Sequence, residues 1–113
     1  MNGMKILCVE HQSSETVILT YMLESIGYQA VIANNGQQAI EFFNKQIIDG
    51  VLLEENLEDP TASAVRAQLK AIRPETPILL FRGIGKQTTS LMCFFDAYLR
   101  HREAFGGDLL PDI

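Results

Sequence analysis

The sequence has few cysteines, no cluster of positive charge and no long apolar run, and each shortage closes off a class of protein. Its two cysteines, Cys8 and Cys93, are too few and too isolated for a disulfide framework or a zinc site. Both sit among apolar residues and read as buried free thiols of a reducing cytosol. Nine Lys and Arg stand against fourteen Asp and Glu, a net charge of −5, with no basic block anywhere. Phosphate contacts need clustered cations, so nucleic-acid binding by this domain alone is not expected. The apolar run near the N-terminus is too short for a signal peptide, and no window approaches membrane-spanning length. The expectation is a cytoplasmic protein with no membrane partner. A glycine-rich phosphate loop is also missing, which counts against a nucleotide ligand.

What is present reads as one α/β domain over residues 1–113, since a chain of this length is long enough for a real core and too short for two. Lys5 to Val9 is a continuous apolar run, as in a strand covered on both faces. Leu19, Met22, Leu23 and Ile26 then mark one face of a helix over Ser13 to Ile26, stopped by Gly27. Gln29 to Ala33 is a second strand. Asn34 with Gln37 predicts a capping box for a second helix, whose buried stripe is Gly36, Ala39, Ile40 and Phe43. Gly50 to Leu53 is a third strand, and Asp59-Pro60 predicts the start of a third helix with the stripe Ala62, Val65, Leu69 and Ile72. Ile78 to Phe81 is a fourth strand. Farther on, Lys86 to Met92 predicts a short fourth helix, Phe94 to Leu99 a fifth strand, and Leu109-Leu110 the start of a truncated fifth helix after the Gly106-Gly107 break.

Strands alternating with helices predict βαβ units and a doubly wound, five-stranded parallel sheet; the flavodoxin-like order known for such sheets, 2-1-3-4-5, would make strands one and three neighbours. In such sheets chemistry gathers at the carboxyl ends of the strands. Those ends hold Glu10 and His11, Glu54 and Glu55, Arg82, and Arg100 with His101.

Several of these segments, in this order and spacing, resemble the receiver domains of two-component response regulators over roughly Met4 to Ile113. M-K-I-L-C-V-E-H resembles the family's first strand, which normally ends in two Mg²⁺-binding acids. L-E-S-I-G-Y and A-N-N-G-Q-Q-A-I resemble the end of helix one and the start of helix two. I-D-G-V-L-L-E resembles the strand that ends on the phosphate-accepting aspartate. A-I-R-P-E-T-P-I-L-L-F-R resembles the approach to a strand that ends in Thr or Ser. D-A-Y-L-R-H resembles the fifth strand, with Tyr98 in place of the switch aromatic and His101 in place of the lysine.

The departures fall on the chemistry. Where the family has an acid pair, an aspartate, a hydroxyl and a lysine, this sequence has Glu10-His11, Glu54, Arg82 and His101. Glutamate moves its carboxylate by about an ångström, a misplacement that can cost about a hundredfold in rate. Mg²⁺ prefers oxygen ligands, so His11 weakens that site. Arg82 brings a fixed positive charge suited to pairing with a carboxylate.

These substitutions predict a degenerate phosphoacceptor pocket of Glu10, His11, Glu54, Arg82 and His101. In it Glu54 is salt-bridged to Arg82, and Mg²⁺ binding is weak or lost. No metal is expected, Glu10 and Glu54 being the weak candidates for ligands. His11 reads as a loop residue, His101 as a surface residue or a pH-sensitive contact to Glu54, Tyr98 as packed at the sheet edge, and Glu55 and Glu58 as solvated loop acids.

The expected protein is no enzyme. It is a pseudo-receiver acting through contacts with a signalling partner, a kinase or an output protein. The alternatives are a phosphorylatable regulator using a substitute residue, and a small metal-binding α/β protein. A truncated fifth helix would leave one sheet face open, so the expectation there is a homodimer, another packed segment, or a longer chain.

Overall fold

The computed structural model describes residues 3–83 and 88–101. Four parallel strands, β1 (Lys5–Val9), β2 (Gln29–Ala33), β3 (Gly50–Glu54) and β4 (Ile78–Phe81), form a sheet of order β2-β1-β3-β4. The helices are α1 (Ser13–Ser25), α2 (Gly36–Lys45), α3 (Ala62–Ile72) and α4 (Thr88–Arg100). This is the expected doubly wound α/β architecture, with four strands among the described residues where the sequence predicts five.

Successive strand residues point to opposite faces, and the sheet is apolar on both. Leu7, Val9, Val51 and Leu53 pack with Ala39 and Phe43 of α2 and with Ala62, Val65 and Leu69 of α3. Ile6, Cys8, Leu52 and Leu79 pack with Leu19 and Leu23 of α1 and with Met92, Phe95, Tyr98 and Leu99 of α4. The register sets Val9 beside both Ala33 and Leu53, and Glu54 beside Phe81. The strand ends that carry polar residues are thereby brought to one rim.

The largest correction concerns the segment after β4. Phe94 to Leu99, predicted as a fifth strand, lies inside α4. The reason is its periodicity: Thr88, Met92, Phe95, Tyr98 and Leu99 are all buried, and that spacing suits one face of a helix and not alternate faces of a strand. From Thr88 on, the predicted short fourth helix and fifth strand are a single helix of 13 residues, the predicted start at Lys86 lying outside the described residues. It covers the sheet face that a truncated fifth helix would leave open. Its contact with β3 is close, since a Cβ on Gly50 would come within 2.8 Å of Phe95 Cζ. The predicted last helix at Leu109-Leu110 lies outside the described residues.

Three smaller corrections follow from local geometry. Helix α2 is capped by Asn35, whose side chain accepts from Gln38 N–H at 2.8 Å, while Gln38 Oε1 accepts from Asn34 N–H; the box is the predicted one, shifted by a residue. Helix α3 is capped by Thr61, which accepts from Ala64 N–H at 3.2 Å. Asp59 cannot serve, because its φ of 55° is not the extended conformation an N-cap adopts. Cys8 is buried as expected, but Cys93 is exposed on α4. Gly27, with φ of 101°, ends α1 as the sequence predicts.

Candidate functional site

The first residue beyond β1 is Glu10. Its N–H still donates to Ala33 O at 3.0 Å, which keeps the backbone beside β2, and its side chain is fully buried. Glu10 Oε1 accepts from Gln12 N–H at 3.1 Å, and His11 Nδ1 lies 3.4 Å from the same oxygen. Glu10 Oε2 meets no hydrogen-bond donor among the described residues. Gln12 O accepts from Glu15 N–H and Thr16 N–H to begin α1, so Glu15 stands in its first turn.

Across the sheet, Glu54 is the last residue of β3 and is 2% exposed. Its two oxygens are tied to two different loops: Oε2 accepts from Asn56 N–H at 3.0 Å, and Oε1 accepts from Gly83 N–H at 2.9 Å. Gly83 has φ of 65°, a conformation that glycine adopts without strain.

Oxygens of Glu10, Glu15 and Glu54 lie within 4.8 Å of one another. Burial is the main cause that raises the Glu10 carboxyl, and the neighbouring Glu15 and Glu54 add to it against the Gln12 N–H, so that it is pushed up to about 8. The Glu10 carboxyl therefore keeps its proton to higher pH than an ordinary glutamate. Above these carboxylates opens a cleft of about 430 Å³, whose lining includes His11, Gln12, Glu15, Asn35, Glu54 and Gly83. The lining holds no lysine, arginine, serine or threonine among the described residues.

Of the residues predicted from sequence, the fold brings Glu10, His11 and Glu54 to this rim. Arg82 is at the rim but outside the pocket. Its guanidinium donates to Glu55 Oε2 at 2.9 Å with a side chain 73% exposed, so the predicted Arg82–Glu54 bridge is not formed. Glu54 already has two backbone donors, which are held in place by the loops and require no side-chain ordering. Arg82 keeps its charge in water on a neighbour that is itself partly exposed. The Glu55 carboxylate raises the Arg82 pKa further above its ordinary value.

His101 is exposed just after α4, its N–H on Ala97 O, and does not join the pocket. The expected fifth strand would have carried it there. Tyr98 lies fully buried in α4 against the α1 face, not at a sheet edge. Glu15 and the Gly83 amide were not legible as site members. The signal for Glu15 is slight: an acid in the first turn of the helix that follows Glu10.

No family model matches the sequence. The transcriptional regulatory protein ZraR of Escherichia coli K12 is 29% identical over 90 residues, covering 80% of this chain and 20% of that protein, so the chain spans about a fifth of the relative's length. Among solved structures, a response regulator receiver domain protein from Methanospirillum hungatei superposes with a TM-score of 0.77 at 16% identity, covering 91% of this chain and 98% of the other. The response regulator TrrA of Thermotoga maritima, in complex with Mg²⁺-BeF, gives 0.68 at 21% identity over 81% of this chain and 80% of its own. A complex of TrrA with the histidine kinase ThkA gives 0.67 at 22% identity, over 71% and 69%. The chain therefore has the fold of a response regulator receiver domain, and it is similar in sequence to a transcriptional regulatory protein.

Proposed function

We propose that this domain is a signalling module of two-component type that works through protein–protein contacts and takes no phosphoryl group on Glu54. The observation that carries this reading is the double anchoring of Glu54. One carboxylate holds the loop after β3 through Asn56 and the loop after β4 through Gly83. An anion at the end of β3 is thus supplied by the protein's own side chain and bonded to both loops. The two loops are thereby tied to one side chain, and bonds from backbone N–H to a carboxylate are among the stronger ones available. The cleft lining adds support, having among the described residues neither a lysine nor a hydroxyl to hold a phosphorylated product. The partner in this reading is a histidine kinase or an output protein, by analogy with the kinase-bound TrrA.

A second reading, a regulator that still accepts phosphate, gains from the position of Arg82. With Arg82 outside, the pocket has no fixed internal cation among the described residues, and the acids Glu10 and Glu54 fit the divalent ion that the receiver fold implies. Bound there, such an ion would screen the charge of an incoming phosphoryl group. Intact mass after incubation with acetyl phosphate and Mg²⁺ decides between the two. We expect no added phosphoryl group on the wild-type protein, and a stoichiometric adduct lost in Glu54→Gln would overturn the proposal.

A further inference from the structure

The segment that the sequence predicts as a fifth strand beside β4 is part of α4 in the structure. Helix α4 covers a face of the sheet, and β4 is left as an edge strand among the described residues. We propose that this edge pairs antiparallel with β4 of a second copy, about a twofold axis at Leu79, joining two sheets into one. The inference holds whether or not Glu54 accepts a phosphoryl group.

The register says which groups lack partners. Pro77 O and Phe81 O accept from Val51 N–H and Glu55 N–H, so residues 77, 79 and 81 turn their main-chain groups toward β3. Those of Ile78 and Leu80 point the other way and meet no hydrogen-bond partner among the described residues. An edge of this kind is a template for another strand. Proteins blunt such edges with charges, proline or a bulge, and Ile78-Leu79-Leu80-Phe81 has none of these. Pro77 precedes the strand at a position that faces β3, so its missing N–H leaves the open edge intact.

The ends of the strand identify the occupant. An exposed acid, Glu75, precedes β4, and an exposed base, Arg82, follows it. Antiparallel pairing sets the acid of each copy against the base of the other, at both ends at once. Parallel pairing would set like against like. Of the cations near Glu75, Lys70 is engaged by Pro74 O and Thr76 O, and Arg73 by Phe43 O and Gln46 O. Arg82 has N–H donors enough to serve Glu75 of the second copy while keeping Glu55. The other edge, β2, offers no such match, since Gly27 and Tyr28 before it and Asn34 and Asn35 after it carry no charge.

With the axis at Leu79, Ile78 of each copy exchanges both main-chain bonds with Leu80 of the other. Leu79 meets its counterpart on the α1–α4 side, and Ile78 meets the half-buried Leu80 on the α2–α3 side. The contact is smaller than a standard interface, so the pairing is weak and depends on concentration.

The test is sedimentation equilibrium of the full chain from about 10 μM to about 1 mM, the range suited to a small interface. The wild type should pass from monomer to dimer. Glu75→Arg and Arg82→Glu alter exposed residues, and each should weaken self-association about tenfold, because both ends of the pairing then carry like charges. Mixed in equal amounts, the two variants should recover wild-type association as a heterodimer, in which opposite charges meet again at both ends. A loss caused by misfolding would not recover on mixing. Amide exchange reads the register: protection at Ile78 and Leu80 should rise with concentration, while Leu79 and Phe81 stay protected throughout. Four results would each overturn the proposal: a monomer at every concentration, unchanged affinity in both variants, no recovery on mixing, or protection at Ile78 and Leu80 that ignores concentration because residues beyond 101 cover the edge.

Discussion

The two faces of the sheet are assembled in different ways. Under α2 and α3 the instructions are local. Each helix starts at a residue that caps its own first turn, Asn35 or Thr61, and each buries a stripe of residues spaced three and four apart. Under α1 and α4 they are not. Gln12 makes no side-chain cap, and α1 exposes Val17, Ile18 and Tyr21 while burying Leu19 and Leu23.

Long-range bonds tie α4 down. Tyr28 O–H donates to Asp96, Arg100 bonds both Asp96 and Ile26 O, and the Arg100 guanidinium lies 5.4 Å from the centre of the Tyr28 ring. The first face can be read from short windows of sequence. The second depends on residues about 70 positions apart, as Tyr28 and Asp96 are.

The heaviest test of this contrast removes the α4 contact with β3. Phe95→Ala should cost about 3–5 kcal/mol, the usual loss for a buried phenyl ring, measured by denaturant unfolding. A loss no greater than that of a surface substitution would mean that α4 contributes little to the folded core.

The pocket supplies the next effect, through pH. Glu10 in the folded chain keeps its proton to about 8, against 4.5 ordinarily, so between those values the folded state binds more protons than the unfolded one. Stability without metal should therefore be greatest below about 4.5 as far as this group is concerned, and it should fall as pH rises toward 8. The loss is up to about 1.4 kcal/mol per pH unit inside that window. Chemical denaturation at several pH values in the presence of a chelator measures it, and Glu10→Gln should flatten the profile. A wild-type profile already flat over that range would remove the buried proton from the account.

A matched pair sharpens the comparison at smaller scale. Thr61→Ala removes a local cap and Tyr28→Phe removes a long-range hydrogen bond, each at about 1 kcal/mol. Their hydrogen-exchange patterns should differ. The first should raise exchange in the opening turn of α3. The second should raise it in α4, far along the chain from the substitution. If both loosened only their own surroundings in sequence, the two faces would not differ in the way described.

The smallest effect belongs to Arg82→Ala. Its charge pair with Glu55 is exposed, so the melting temperature should stay within error of wild type. A clear drop would place Arg82 in the pocket after all.

How far the sequence carried the reading depends on the range of the signal. Three of the four strands, β1, β2 and β4, begin and end at the predicted residues, since short apolar runs between turn signals are decided within a few positions. The caps of α2 and α3 were legible as motifs but were misplaced by one or two residues, as element ends commonly are. The α4 error has a similar source. Leu91, Met92, Phe95, Tyr98 and Leu99 form a helical pattern only when 88–100 is read as one segment. Cut in two, it yields a weak helix and an apolar run that looks like a strand.

The sequence by itself determined the parallel α/β architecture, both apolar faces of the sheet, and the gathering of Glu10 and Glu54 at its carboxyl rim. Each of these follows from periodicity and from the direction of strands, which are properties of neighbouring residues. Tertiary structure alone decided that the helix after β4 would lie on the α1 face and that Glu54 would bond to Gly83 rather than to Arg82. It also decided that Glu15 would meet Glu10 and Glu54. Those outcomes turn on the path of the loops, which selects a partner for each buried charge from groups that the sequence leaves far apart.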